Sequence, residues 1–354
     1  MSETIFHGRQ AVRIENDALR LTVLREGGHI AEVYDKRAGI NPLWIPHWPS
    51  IEPSSFDPTQ PGIFGTGADA KLLAGIMGHN LCVDLFGSPS AEEAAAGLTV
   101  HGETSVDPYV IAESQGKLNL GVTLRKAQLQ CSRSIELCSE HVRIRETVEN
   151  LSAIDRPLAW TQHVTLGPPF LDPARTEFRA AMARSMVDEF DPGNKAYLKA
   201  GAEFDWPIAP GIDGASHDLR KMHGTAPASG YTAHAADPRS DHAYFVAFSP
   251  KFRLAFSYIW RRADFPWLGI WEENCSRPGS PWDSRTVTRG MEFGVSPFPE
   301  TRRAMVERGR LLGTPAFKWL PAHGRLEAEY WITSQLAGEV PETISWPDSE
   351  TGVA

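Results

Sequence analysis

Long apolar runs are missing from this sequence. No stretch approaches the roughly 18–20 residues that a bilayer-crossing helix needs, so no membrane span is expected. The opening Met1-Ser2-Glu3-Thr4-Ile5-Phe6-His7 has no basic segment leading into an apolar one, so no secretory signal is expected there. Blocks of Lys and Arg are also missing. With 35 Lys and Arg against 44 Asp and Glu the formal charge is −9, which argues against nucleic acid as a partner. Cysteine is scarce: Cys82, Cys131, Cys138 and Cys275 form no C-x-x-C pair. Four cysteines in 354 residues do not make a disulfide scaffold, and reduced thiols in a cytoplasmic protein are the expectation. The signatures G-x-G-x-x-G, G-x-x-x-x-G-K-[ST] and G-x-S-x-G do not occur, so dinucleotide, P-loop and hydrolase-elbow readings have no support. Nor does the H-E-x-x-H spacing of zinc hydrolases occur, and no metal or cofactor is expected.

What is present is alternation. Leu19, Leu21 and Val23 share one side of an extended chain, as do Val142, Ile144 and Val148. Leu254, Phe256, Tyr258 and Trp260 repeat the pattern, and Leu326, Ala328, Tyr330 and Ile332 repeat it again. A period of two puts one face in a core, the signature of antiparallel strands. The 30 Gly and 27 Pro cluster in turn signals between these runs, such as Asp191-Pro192-Gly193-Asn194. Helical signals are few. Ser90 and Glu93 have capping-box spacing ahead of an alanine run that stops at Gly97. A weaker helical candidate spans about 172–186. Residues 186–240 read as long excursions from the sheets, and the tail after Gln335 as loosely packed on the surface. The whole, 1–354, is expected to be one all-β domain built of antiparallel sheets.

Three contexts single out residues with chemistry. His101 precedes Gly102, where the chain can turn sharply and aim the imidazole into a cleft. His163 ends an apolar stretch from Leu158 and stands just before Gly167-Pro168-Pro169, a rim position. Glu292 lies between Met291 and Phe293, where burial would raise its pKa toward that of a general base. Partnership with Arg289, or a plain exposed strand position, is the competing reading for Glu292.

Taken together these contexts resemble the aldose 1-epimerase (galactose mutarotase-like) superfamily. Gly27-Gly28-His29-Ile30 and Ile40-Asn41-Pro42-Leu43-Trp44 resemble its first hairpin, and Gly97 to Gly102 its first catalytic His. Val148-Glu149-Asn150-Leu151-Ser152 to His163 resembles the segment ending in its second His. Phe265-Pro266-Trp267-Leu268-Gly269-Ile270-Trp271 and Gly290-Met291-Glu292-Phe293-Gly294 resemble the segments that carry its base. The order holds along residues 19–335. Departures from the pattern are Val164-Thr165-Leu166 after the second His, Phe293-Gly294 after the Glu, and His79-Asn80 where a sugar-contacting Arg is expected.

The resemblance implies a large antiparallel β-sandwich with an open cleft. It implies a cofactor-free isomerase acting on a sugar hemiacetal, with Glu292 as base, His163 as acid and His101 polarising the ring oxygen. His79, Asn80, Asp241, Trp271 and Glu273 are the expected substrate contacts, and Asp241 stands for a family Asp that precedes the Glu. Of the neighbours Glu272 and Glu273, only one can face a cleft, since adjacent strand residues point to opposite sides. Trp44, Trp160, Trp267, Trp271 and Trp282 are candidate sugar platforms, at least one of which should line the cleft. The partner is a small carbohydrate and the chain a monomer or homodimer. Alternatives are a non-catalytic carbohydrate-binding or regulatory protein, or an epimerase of phosphorylated sugars.

Overall fold

The computed structural model describes residues 1–189 and 195–347. The turn signal at Asp191–Asn194 and the last seven residues lie outside them. Two large sheets dominate. Five strands at the middle of the first carry the site and are named here: β1 (His79–Val83), β2 (Trp160–Leu166), β3 (Ala228–Ala236), β4 (Trp267–Asn274) and β5 (Val287–Gly294). They run in the order β1-β2-β5-β4-β3 within an eleven-stranded sheet. Strands Ser2–Phe6, Arg9–Glu15, Leu19–Leu24 and Ile30–Asp35 extend it beyond β1, and Met182–Val187 and Glu203–Asp205 beyond β3. The second sheet has eight strands, centred on Leu254–Arg261, Arg325–Leu336 and His141–Asn150.

Alternation explains the packing between them. Phe256, Tyr258 and Trp260 point inward from the second sheet and meet Leu268, Met291 and Phe293 from the first in one apolar cluster. The Trp260 ring stacks on Phe293 at 4.2 Å between centroids. Each strand thus sends every second side chain into the space between the sheets, the arrangement of a sandwich. The opposite face of the second sheet is covered in part by the chain's end. The last strand, Arg325–Leu336, runs into the segment read as a loose tail, and Ala337, Val340 and Ile344 then lie against Val246, Phe248 and Ala255.

A polar group sits inside this apolar interface. Arg133 Nε donates to Glu146 Oε1 at 2.7 Å, with both side chains almost fully buried. Trp160 Nε1 and the Gln162 amide donate to Glu146 Oε2, at 3.0 and 2.6 Å, and Tyr330 Oη donates to Glu146 Oε1 at 2.8 Å. The cluster links Arg133, Glu146 and Tyr330 of the second sheet to Trp160 and Gln162 of β2.

The short helix is Ala91–Ala95, with the Ser90–Glu93 capping box formed. The helix expected over about 172–186 is not there. Residues Glu177–Ala180 pair with strand His242–Ser249, and Met182–Val187 pairs with β3. Phe178, Met182 and Val187 are buried by those pairings, so strand packing overrides the local helical preference. Among the described residues no helix is long and apolar enough to cross a membrane.

Candidate functional site

The site is built on one row of cross-strand partners. Antiparallel pairing sets Asn80 of β1 opposite His163 of β2, His163 opposite Glu292 of β5, and Glu292 opposite Gly269 of β4. Residues directly opposed across such strands share a face. Glu292 and His163 therefore meet although 129 residues separate them: His163 Nε2 lies 3.2 Å from Glu292 Oε1.

His101 arrives from a loop, and its backbone has φ +65°. Gly102 follows at φ +77° and packs so closely that a β-carbon there would stand 2.6 Å from the Val83 carbonyl oxygen. Only glycine combines that conformation with that contact. Thr104 ties the following turn to β1, donating to the Leu81 carbonyl at 2.6 Å. The result places the His101 ring 4.6 Å from that of His163, edge to face. His101 Nδ1 is 2.7 Å from the Cys82 sulfur. Burial pushes the Cys82 thiol well above its usual range, so it stays S–H. An S–H donated to Nδ1 leaves the imidazole proton on Nε2, the tautomer assigned to His101 here.

These residues line a cleft of about 380 Å³. Leu72, Leu73, Ile76, Phe86 and Val100 form an apolar wall, and Trp271, Trp282 and Tyr231 contribute aromatic faces. Trp282 belongs to the loop between β4 and β5, as does Arg277. The Arg277 guanidinium sits 4.4 Å from the Trp282 ring centre and 5.4 Å from that of Trp271, and its Nε is 3.1 Å from Glu273. Trp160 and Trp267 are fully buried, and Trp44 packs behind Trp282.

Burial governs the electrostatics. Desolvation raises Glu292 to about 8 and lowers His163 to about 4. His101 falls well below its ordinary value for the same reason, with the two other nearby histidines adding to the effect. Among the described residues no Arg or Lys forms an ion pair with Glu292. Arg289, the partner considered from sequence, lies on the opposite face of β5, where it sits over Phe178 and donates to the Leu219 carbonyl.

The expected substrate contacts divide. Trp271 lines the cleft. Glu273 faces the same side and holds Arg277, while Glu272 points the other way and accepts from the His223 amide at 3.0 Å. Asn80 is on the cleft face beside His163, fully buried, its amide atoms without partners among the described residues. Two expectations are corrected. His79, one residue from Asn80, faces the sandwich interior, where its ring nitrogens meet Gln162 at 2.9 Å and Tyr258 at 3.2 Å. Strand parity sends it away from the cleft. Asp241 is exposed in the turn before strand His242–Ser249 of the second sheet, with its carbonyl taken by the Arg262 amide. Sequence reasoning did not single out Tyr231, Cys82 or Arg277. Among the described residues no group of three His, Cys, Asp or Glu side chains is placed to hold a metal ion.

Glycine at 290 makes room for the base. A β-carbon there would stand 2.3 Å from Glu292 Oε1, the mobile end of a side chain, and 3.1 Å from Trp271 Cβ, so the carboxylate would swing aside while Trp271 gives slightly. Gly290→Ala is expected to fold with a melting temperature close to wild type. It should also lose about 10²-fold in turnover, the scale of a 1 Å misplacement. Anomer-exchange rates and thermal melts of the two proteins check both halves.

No family model matches the chain, and no curated protein matches it. Solved structures do. A candidate aldose 1-epimerase from Klebsiella pneumoniae is 14% identical, with 95% of this chain and 83% of that one covered and a TM-score of 0.68. A candidate aldose 1-epimerase from Escherichia coli K12 is 14% identical, with 93% and 100% covered and a TM-score of 0.63. A galactose mutarotase-like protein from Clostridium acetobutylicum is 15% identical, with 95% and 98% covered and a TM-score of 0.61. In fold, this chain stands with the aldose 1-epimerase and galactose mutarotase-like proteins.

Proposed function

We propose that the protein is an aldose 1-epimerase-type isomerase that interconverts the anomers of a neutral sugar hemiacetal. The observation that carries this reading is the 3.2 Å approach of His163 to Glu292 on the floor of the cleft. Opening a hemiacetal ring takes a proton from the C1 hydroxyl and gives one to the ring oxygen. Closing it reverses both transfers. With Glu292 raised to about 8 and His163 lowered to about 4, the pair holds one proton near neutrality and has no net charge. That proton rests on Glu292, and once it passes to His163 across their contact, Glu292 takes the hydroxyl proton and His163 protonates the ring oxygen. With it on Glu292, the pair meets the open-chain aldehyde, and rotation about C1–C2 followed by the reverse transfers closes the other anomer. The proton count is the same before and after, so the site needs no outside donor. His101, carrying its proton on Nε2, donates to the ring oxygen as charge develops there.

The charge of the cleft bears on the substrate. Arg277 is the single Arg or Lys among the described lining residues, and Glu273 already engages it, while Asp69 and Asp188 are acidic. A phosphorylated sugar would bring more negative charge to an acidic lining, so a neutral aldose is the better fit. NMR saturation transfer between anomers, over a panel of neutral aldoses and sugar phosphates, tests the reading. At least one neutral aldose should exchange faster by about 10²-fold or more over buffer. No acceleration of any member would leave the cleft a binding site only.

A further inference from the structure

The Tyr231 hydroxyl is a polar group of the cleft that the proposed chemistry leaves unused. Tyr231 is 4% exposed and lines the cleft, yet its oxygen has no hydrogen-bond partner among the described residues. The side chain lies flat along the sheet. A β-carbon on Gly269 would stand 1.8 Å from Tyr231 Oη, so the hydroxyl occupies the space that a side chain on β4 would fill. Gly269 is the cross-strand partner of Glu292. The phenol is therefore close enough to Glu292 to favour its ionised form and oppose the effect of burial, although its oxygen is not aligned in a full hydrogen bond. Its ring is held between Phe86 and Phe298, at 6.4 and 6.1 Å between centroids.

We infer that Tyr231 is a positioning residue for Glu292: its uncommitted O–H turns to the carboxylate when Glu292 ionises and holds that oxygen pair in place for the ligand. His163 is the other group within reach, and it must release the carboxylate for a ligand to enter between them. Burial keeps the Tyr231 phenol protonated far above neutrality, so it remains a donor throughout. The titratable groups facing this pair are His163 of β2, Cys82 of β1, His101 and Asp69 of the covering loops, Asp188 beyond β3 and Arg277 of the β4–β5 loop. The three heavy atoms nearest the β-carbon position of Gly269 all belong to Tyr231.

The role rests on the reading of Glu292 as the base, but its test does not need turnover. The carboxyl band of Glu292 is followed by infrared titration of the unliganded protein, with Glu292→Gln identifying the band. Tyr231→Phe keeps the ring and removes the donor, and the Glu292 midpoint should move up by about one pH unit. A fluorinated tyrosine at 231, a stronger donor, should move it down, which keeps the test open if the Phe variant folds poorly. An unchanged midpoint in both overturns the inference. Where a converted sugar is found, the acid limb of kcat/KM should shift with the midpoint in Tyr231→Phe. A uniform loss at every pH would mark a merely structural tyrosine. Inactivity of the wild type toward every sugar would count against the proposed reaction and leave the titration result standing.

Discussion

Glu292→Gln is expected to lower turnover by about 10²–10⁴-fold on any sugar the wild type converts, the usual contribution of one positioned acid–base group. The amide preserves shape and most binding but takes no proton. Stability should move the other way. Burial holds the Glu292 carboxyl at about 8 against an ordinary 4.5, so between those values the unfolded chain has released this proton and the folded chain has not. Folding then binds a proton that becomes scarcer as pH rises, and this residue's contribution to stability falls across that window. The variant has no such dependence. Its melting temperature should rise above wild type from about pH 5 upward, with the gap widening to pH 8 and closing below pH 4.5. Anomer exchange and paired thermal melts at several pH values check the two claims separately. Equal activity in the two proteins would show that another group is the base. A variant that melts lower at every pH would mean Glu292 is a structural group.

Glu146→Ala should be the most destabilising single change in the sandwich, at about 3–5 kcal/mol, because it leaves the buried Arg133 guanidinium without its counter-charge. Trp160, Gln162 and Tyr330 lose an acceptor at the same time. Replacing both charges, Arg133→Met with Glu146→Leu, should recover part of that loss, since removing a buried pair together spares the unpaired charge. Denaturant unfolding of the three proteins gives the comparison. A Glu146→Ala protein within about 1 kcal/mol of wild type would show that water or a rearranged side chain satisfies Arg133. The effect also reaches the site. Gln162 is the chain neighbour of His163, so an active but weakened variant should show its loss in kcat more than in KM.

The strands legible in the sequence were those in which apolar side chains alternate with polar or small ones. Leu19–Val23 alternates in the eleven-stranded sheet, and Val142–Val148, Leu254–Trp260 and Leu326–Ile332 do so in the eight-stranded one. The strands that carry the site did not alternate. β1, β2 and β4 are buried at every position, with the sandwich core on one side and the covered cleft on the other. Burial on both faces removes the need for a period of two, and these three sequences show none. His101, His163 and Glu292 were therefore found through local context and family resemblance, not through periodicity. Tyr231 had neither signal. It lies among Ala228, Ser229, Gly230, Thr232 and Ala233, in a region read as irregular, and its place beside Glu292 depends on a cross-strand register that no local pattern records. His79 was misplaced by one residue of parity, and Asp241 by a family correspondence that the second sheet does not honour.

Gly290 has a consequence for how this scaffold diverges. Alanine is one base change away from any glycine codon, and at this position it displaces a carboxylate oxygen while leaving the strand intact. On the proposed chemistry, a gene for a sugar-converting protein and a gene for a sugar-holding one can differ here by a single nucleotide. A lineage under selection for sensing in place of turnover would need to rebuild little of its ligand wall, because the aliphatic lining comes from other segments and Trp271 alone of the aromatic lining packs on this position. Library screens on this framework should therefore recover non-catalytic binders more readily from substitutions at 290 than from changes in the lining.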